Sequence, residues 1–158
     1  MTRAKVEMQP VGTVRSPQSE ATDDHWGGVE SVIELDSRFD PDALLGLDHF
    51  SHLEILFLMH RVDEAEIETT ARQPRERMDW PRVGIFAQRG KSRPNRIGLS
   101  RCALVGVAGR EIRVRGLDAI EGTPVLDIKP WMAEFGPRGE VRQPQWSQEL
   151  MRDYYRES

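Results

Sequence analysis

Two stretches of this 158-residue chain concentrate side chains that could hold a ligand or orient a reacting group. The first is RGKSRPNRIGLS, residues 89–100. Gly90 permits a sharp turn in which backbone amides can approach a ligand. Pro94 biases Arg93 towards an extended backbone, and the Asn95 amide can both donate and accept hydrogen bonds. Arginines here could hold a carboxylate as a bidentate pair, or could be no more than solvated loop charge. The second stretch is GLDAIEGTPVLDIKPW, residues 116–131. Glu121-Gly122-Thr123-Pro124 has turn chemistry. Along the strand that follows, Asp127 and Lys129 share one face at a spacing of roughly 6.6 Å, which suits a shared ligand or a structural ion pair.

The four histidines are His25, His49, His52 and His60. His49 and His52 stand three apart, but no third ligand follows at a recognisable spacing, so no metal site is expected. His60 shares parity with Leu56 and Leu58 at the end of the most apolar run, with Arg61 next to it. Both read either as strand-end residues or as ligand contacts. The chain has no Walker A sequence, no GxGxxG and no HExxH, which removes support for a P-loop, a dinucleotide fold or a zincin.

The elements that must position these residues are mainly strands. Residues 10–17 and 29–35 read as strands, separated by a polar, Gly-terminated loop at 18–28. Val29, Ile33 and Leu35 share parity opposite Glu30 and Glu34, the pattern of a half-buried strand. Asp40-Pro41 opens a short helix near 41–47, capped by Asp40. Residues 52–62 are apolar on both parities over 55–59, which predicts a strand covered on both faces, or alternatively a buried helix. Further strands are expected at 66–72, 83–89, 97–107, 111–117 and 123–129, with a hairpin turn at Ala108-Gly109-Arg110. Trp146, Leu150 and Tyr154 recur every four positions and predict an amphipathic C-terminal helix over 146–157. The organisation expected is a small antiparallel β-barrel or sandwich over 1–145 with the helix at 146–158 packed on it.

Composition narrows the function classes. With 22 Lys+Arg against 26 Asp+Glu the net charge is −4, which argues against a general nucleic-acid coat. The local cluster Arg89, Lys91, Arg93, Arg96 and Arg101 suits an anion or a short stretch of RNA. Cys102 is the only cysteine, so neither an intramolecular disulfide nor a multi-thiolate zinc site can form. No apolar run approaches the roughly 20 residues of a membrane span, and the N-terminus lacks a signal's apolar core. A cytoplasmic protein without a membrane partner is the expectation.

Taken together, VGTVRSP (11–17), LLGLDHFSHLEILFLMH (44–60), VGIFAQRGKSRPNRIGLS (83–100) and LDAIEGTPVLDIKP (117–130) resemble the TsaA/TrmO-like family, motif by motif and in order. The resemblance implies a small antiparallel β-barrel that forms a homodimer and binds S-adenosyl-L-methionine near the subunit interface. It also implies methyl transfer to the exocyclic amine of a modified adenosine in tRNA. By motif position it assigns cofactor contacts to Arg89, Leu99 and Arg115-Gly116-Leu117-Asp118, to the pair His60 and Arg61, and to the loop residues Asp24, His25 and Trp26. Within that assignment Asp118 suits ribose hydroxyls and Arg89 a carboxylate, while Leu99 and Leu117 suit the adenine. Asn95, Asp127 and Lys129 are the candidates for orienting the acceptor. The sequence departs from the family at Gly90-Lys91-Ser92, Arg96 and Trp131. The rival readings are an S-adenosyl-L-methionine-binding sensor or accessory module without catalysis, and a purely structural barrel.

Overall fold

The computed structural model describes residues 2–157. Six strands close into an antiparallel barrel: β1 (Gly12–Arg15), β2 (Glu30–Leu35), β3 (His52–Leu58), β6 (Ile97–Ala108), β7 (Glu111–Arg115) and β8 (Pro124–Pro130). Their order around the barrel is β1-β2-β7-β6-β3-β8. Closure falls between β1 and β8, where Gly12 faces Val125 and Thr13 faces Pro124. Two short strands, β4 (Ala71–Arg72) and β5 (Val83–Gly84), pair separately.

The barrel follows from alternation. In β7, EIRVR, Ile112 and Val114 are wholly buried, and their neighbours Glu111, Arg113 and Arg115 are exposed. In β2 the buried residues are Ser31, Ile33 and Leu35. These inward side chains meet Val14, Leu53, Ile55, Leu117 and Val125 in one core. Complete burial of a side chain such as Ile55 contributes about 1.5–3 kcal/mol. Closure leaves the six-stranded sheet without a free edge. The β6–β7 register shifts between Leu104 and Gly106, and the hairpin turns at Gly109 with φ +60.

Several local expectations are corrected. β3 is covered on one face only: Leu53, Ile55 and Phe57 are buried, while Leu56 and Leu58 stay half-buried on the outside, because a closed barrel has a single interior. The expected helix near 41–47 is two 3-10 turns, Pro41–Leu44 and Leu47–His49. Asp40 caps the first, but Gly46 between them adopts a left-handed φ of +86, which ends it. The strand expected at 83–89 stops at Gly84, where a 3-10 turn, Ile85–Ala87, takes over. The Gln88 side chain fixes that bend by donating to the carbonyls of Arg72 and Val83, both at 3.0 Å. Of the strand expected at 66–72 only Ala71–Arg72 forms.

The C-terminal helix α1 is shorter than its periodicity suggests, spanning Gln145–Met151. Trp80 Nε1 donates to Glu149 at 2.8 Å and ties it down. Beyond Met151 the chain turns and runs back against the loop at 23–28.

Candidate functional site

One end of the barrel is built by the connection between β7 and β8. Gly116 takes φ +86, a left-handed conformation that favours glycine, and its N–H donates to Val29 at 2.9 Å. Leu117 then buries its side chain completely in the core, so only its backbone is available at the rim. Asp118 follows at the barrel's end. Its carboxylate accepts a hydrogen bond from the Tyr154 hydroxyl through Oδ2, while Oδ1 is buried and finds no partner among the described residues.

The surroundings of Asp118 are registered electrostatically. The Cys102 thiol is pushed up to about 12, first by burial and then by the Asp118 charge. The Tyr154 and Tyr155 hydroxyls are raised for the same two reasons in the same order, and on both the Arg89 charge acts in the opposite direction. The guanidinium of Arg89 is thus within electrostatic reach of the tyrosine pair that flanks Asp118.

The loop at 23–28 forms a second wall. Asp24 receives both ends of the Arg75 guanidinium, at 3.0 and 3.2 Å. His25 has φ +71 and donates its N–H to the Asp153 carbonyl at 3.0 Å. Trp26 is 3% exposed, donates Nε1 to Thr22 at 3.3 Å and its backbone N–H to the Tyr154 carbonyl at 2.8 Å. Arg115 donates to Glu157 at 2.7 Å. Residues 153–157 therefore lie across His25, Trp26, Arg115 and Asp118 at once.

The remaining candidates lie on the outer face of β6, β3 and β8 and on the segment before β6. Arg89 donates to the Leu99 carbonyl at 2.8 Å. Leu99, 42% exposed, pairs across the strands with Leu56, whose other neighbour is Asp127. Two strand spacings put Leu99 and Asp127 roughly 10 Å apart. Lys129 and Asp127 form an ion pair at 3.1 Å, well exposed to solvent and hence of little stabilising value. Asn95 is exposed on the 3-10 turn Pro94–Arg96 with φ +65. The basic cluster is partly consumed by structure: Arg93 donates to the Gln88 carbonyl and Arg96 to that of Val62.

His60 is half-buried just beyond β3, with Nδ1 buried and unpartnered among the described residues. Its Nε2 borders Gly122, on the connection that carries Asp118; a β-carbon on Gly122 would lie 3.9 Å from it. Burial and then the neighbouring Arg61 charge lower the His60 pKa, which favours the neutral ring. Arg61 itself is exposed.

The structure thus gathers His25, Trp26, Arg115, Gly116 and Asp118, brings Arg89 within range of them, and sets Leu99 and Asp127 astride Leu56. Sequence reasoning missed Tyr154, Tyr155, Glu157 and Arg75. Tyr154 was legible only as the last member of an apolar helical stripe, and nothing in spacing links it to a carboxylate 36 positions earlier.

A closed six-stranded antiparallel barrel with a carboxylate, arginines and a partly buried histidine gathered near one end defines the class as a small β-barrel protein. Residues 16–136 match the family model described as the tRNA-methyltransferase O N-terminal domain, and the chain belongs to that family. It is 37% identical over 136 residues to the tRNA (adenine(37)-N6)-methyltransferase of Escherichia coli, covering 80% of this chain and 57% of that one. The human protein of the same name is 40% identical over 102 residues, 65% of this chain but 23% of its own length. A Methanothermobacter thermautotrophicus protein called a probable S-adenosyl-L-methionine-binding protein is 34% identical over 142 residues, 88% of this chain and 99% of that one. The crystal structure of TrmO from Pseudomonas aeruginosa superposes with a TM-score of 0.71 at 29% identity, covering 88% of this chain and 62% of that one. The chain therefore spans about a quarter of the human relative, just over half of the bacterial one and nearly all of the archaeal one.

Proposed function

We propose that this protein binds S-adenosyl-L-methionine at the Asp118 end of the barrel and transfers its methyl group to the exocyclic amine of a modified adenosine in tRNA. The observation that carries the reading is the half-used Asp118 carboxylate, one oxygen held by Tyr154 and the other buried without a partner. A ribose hydroxyl donated to Oδ1 would satisfy it. Arg89 spends one nitrogen on Leu99, and among the described residues its other nitrogens have no side-chain partner and could take a carboxylate. Exposed Leu99 offers an apolar surface beside it for a base. His60, with Arg61 next to it, stands beside Gly122 of the Asp118 connection, and His25 and Trp26 lie on the loop bonded to the C-terminal segment.

When bound, the donor supplies an electrophilic methyl group on a sulfonium. The chain's own contribution is positioning, because such a transfer needs alignment more than covalent help. Asn95, Asp127 and Lys129 orient the acceptor amine from the outer face of β8 and the turn before β6. A second copy of the chain completes the site as a homodimer, covering the exposed apolar side chain of Phe86 on the segment that precedes Arg89. Barrel and C-terminal helix act as one unit in the cytoplasm, and no helix among the described residues is long and apolar enough to cross a membrane.

Two measurements test this. Titration calorimetry with S-adenosyl-L-methionine should give heat with the folded protein, and its absence would refute donor binding. Labelled donor incubated with total tRNA lacking the modification should label that tRNA. Donor binding without label would instead identify a binding module, the activity named for the full-length archaeal relative.

A further inference from the structure

The family match ends at residue 136, yet the contacts that close the Asp118 end come from beyond it. Residues 153–157 are fixed by two backbone hydrogen bonds, from His25 and Trp26, and by the Arg115–Glu157 ion pair. This anchoring sets the Tyr154 hydroxyl on Asp118 Oδ2 and leaves Oδ1 buried and without a hydrogen-bond partner among the described residues, an acceptor that a ligand reaching it would satisfy.

We infer that Tyr154 is a positioning residue of the donor site: it holds one oxygen of Asp118 so that the other presents itself to the ribose of an adenosine-containing ligand. The inference rests on the donor reading above. A carboxylate in a partly buried site rotates about its last bond unless something fixes it, and a fixed acceptor loses less freedom on binding. The hydroxyl is suited to that task because burial and the Asp118 charge raise its pKa, which keeps its proton in place as a donor over the whole physiological range. In the alternative, the C-terminal segment only blocks the site and must leave before a ligand enters; the experiment below separates the two.

The test is titration calorimetry with S-adenosylhomocysteine and with its 2′,3′-dideoxy analogue, on the whole chain and on Tyr154→Phe. Tyr154→Phe should weaken S-adenosylhomocysteine about tenfold, the scale of one hydrogen bond to a charged group. It should leave the dideoxy analogue's affinity unchanged, because that ligand has no hydroxyls for Asp118. Equal losses for both ligands would mark a merely structural role and overturn the inference, as would unchanged affinity for S-adenosylhomocysteine. Tighter binding in the variant would overturn it in favour of a blocking segment. If the unaltered protein binds neither ligand, the donor reading itself fails and this inference with it.

Discussion

Gly27 and the Tyr155 carbonyl are in such close contact that a β-carbon on Gly27 would lie 1.9 Å from that oxygen. No side chain fits there without moving the backbone of the C-terminal segment, so glycine at 27 is a condition for residues 153–157 to dock. Gly27→Ala should therefore release the segment while the barrel stays folded. Hydrogen exchange checks it: the amides of His25 and Trp26 should lose protection while those of β3 and β6 keep theirs.

Gly98 meets the Phe57 ring in the same way, with an added β-carbon 2.4 Å from two ring carbons. Phe57 is 4% exposed and packed in the core, so it has little room to retreat. Gly98→Ala should destabilise the fold by about 1–3 kcal/mol, the usual cost of overpacking. A lowered urea midpoint with an unchanged denaturant slope is the expected result.

Cys102 should be inert while the protein is folded. It is 2% exposed, and its thiol pKa of about 12 leaves almost no thiolate at pH 8. A thiol reagent such as dithionitrobenzoate should react only after denaturant is added. Rapid reaction of the native protein would contradict the burial on the inner face of β6.

His60 links stability to pH. Its folded pKa lies below the unfolded value of about 6.5, so the unfolded chain binds the proton more readily. Stability should fall as pH drops from about 6.5 through the lowered folded value, and the contribution should be fully present above 6.5. Replacing it in His60→Gln should flatten that part of the curve, as read by thermal midpoints between pH 5 and 7.

Arg75 and Asp24 form a two-pronged ion pair with only 23% and 26% of their side-chain surfaces exposed. Arg75→Ala should loosen the loop at 23–25 at a cost of about 1 kcal/mol, since the pair is partly shielded from water. Any donor affinity that depends on this loop should fall together with it, which calorimetry on the variant would show.

Alternation made most of the barrel readable. β2, β7 and the β6–β7 hairpin follow from apolar parity and from the glycine at 109, because a half-buried strand writes its two faces into successive residues. The segments at 66–72 and 83–89 were not readable in this way. Their β-branched and alternating residues satisfy a strand pattern locally, but long-range bonds such as Gln88 to Arg72 bend them into turns. β3 misled for a related reason: a run apolar on both parities reads the same whether its second face lies in a sheet interior or half-open on the outside of a barrel.

The candidate site divides along the same line. The motifs at 89–100 and 116–130 were sufficient to single out Arg89, Leu99 and Asp118 as candidates through the family resemblance, and the sequence alone determined that much, since short motifs can be matched residue by residue. Which partners those residues meet was a matter for the tertiary structure. Pairing β3 with both β6 and β8 puts Leu99 and Asp127 on either side of Leu56. Docking the C-terminal segment brings Tyr154 to Asp118 across 36 residues. Contacts of that kind depend on where separate elements end in space, and no spacing along a single stretch of chain records them.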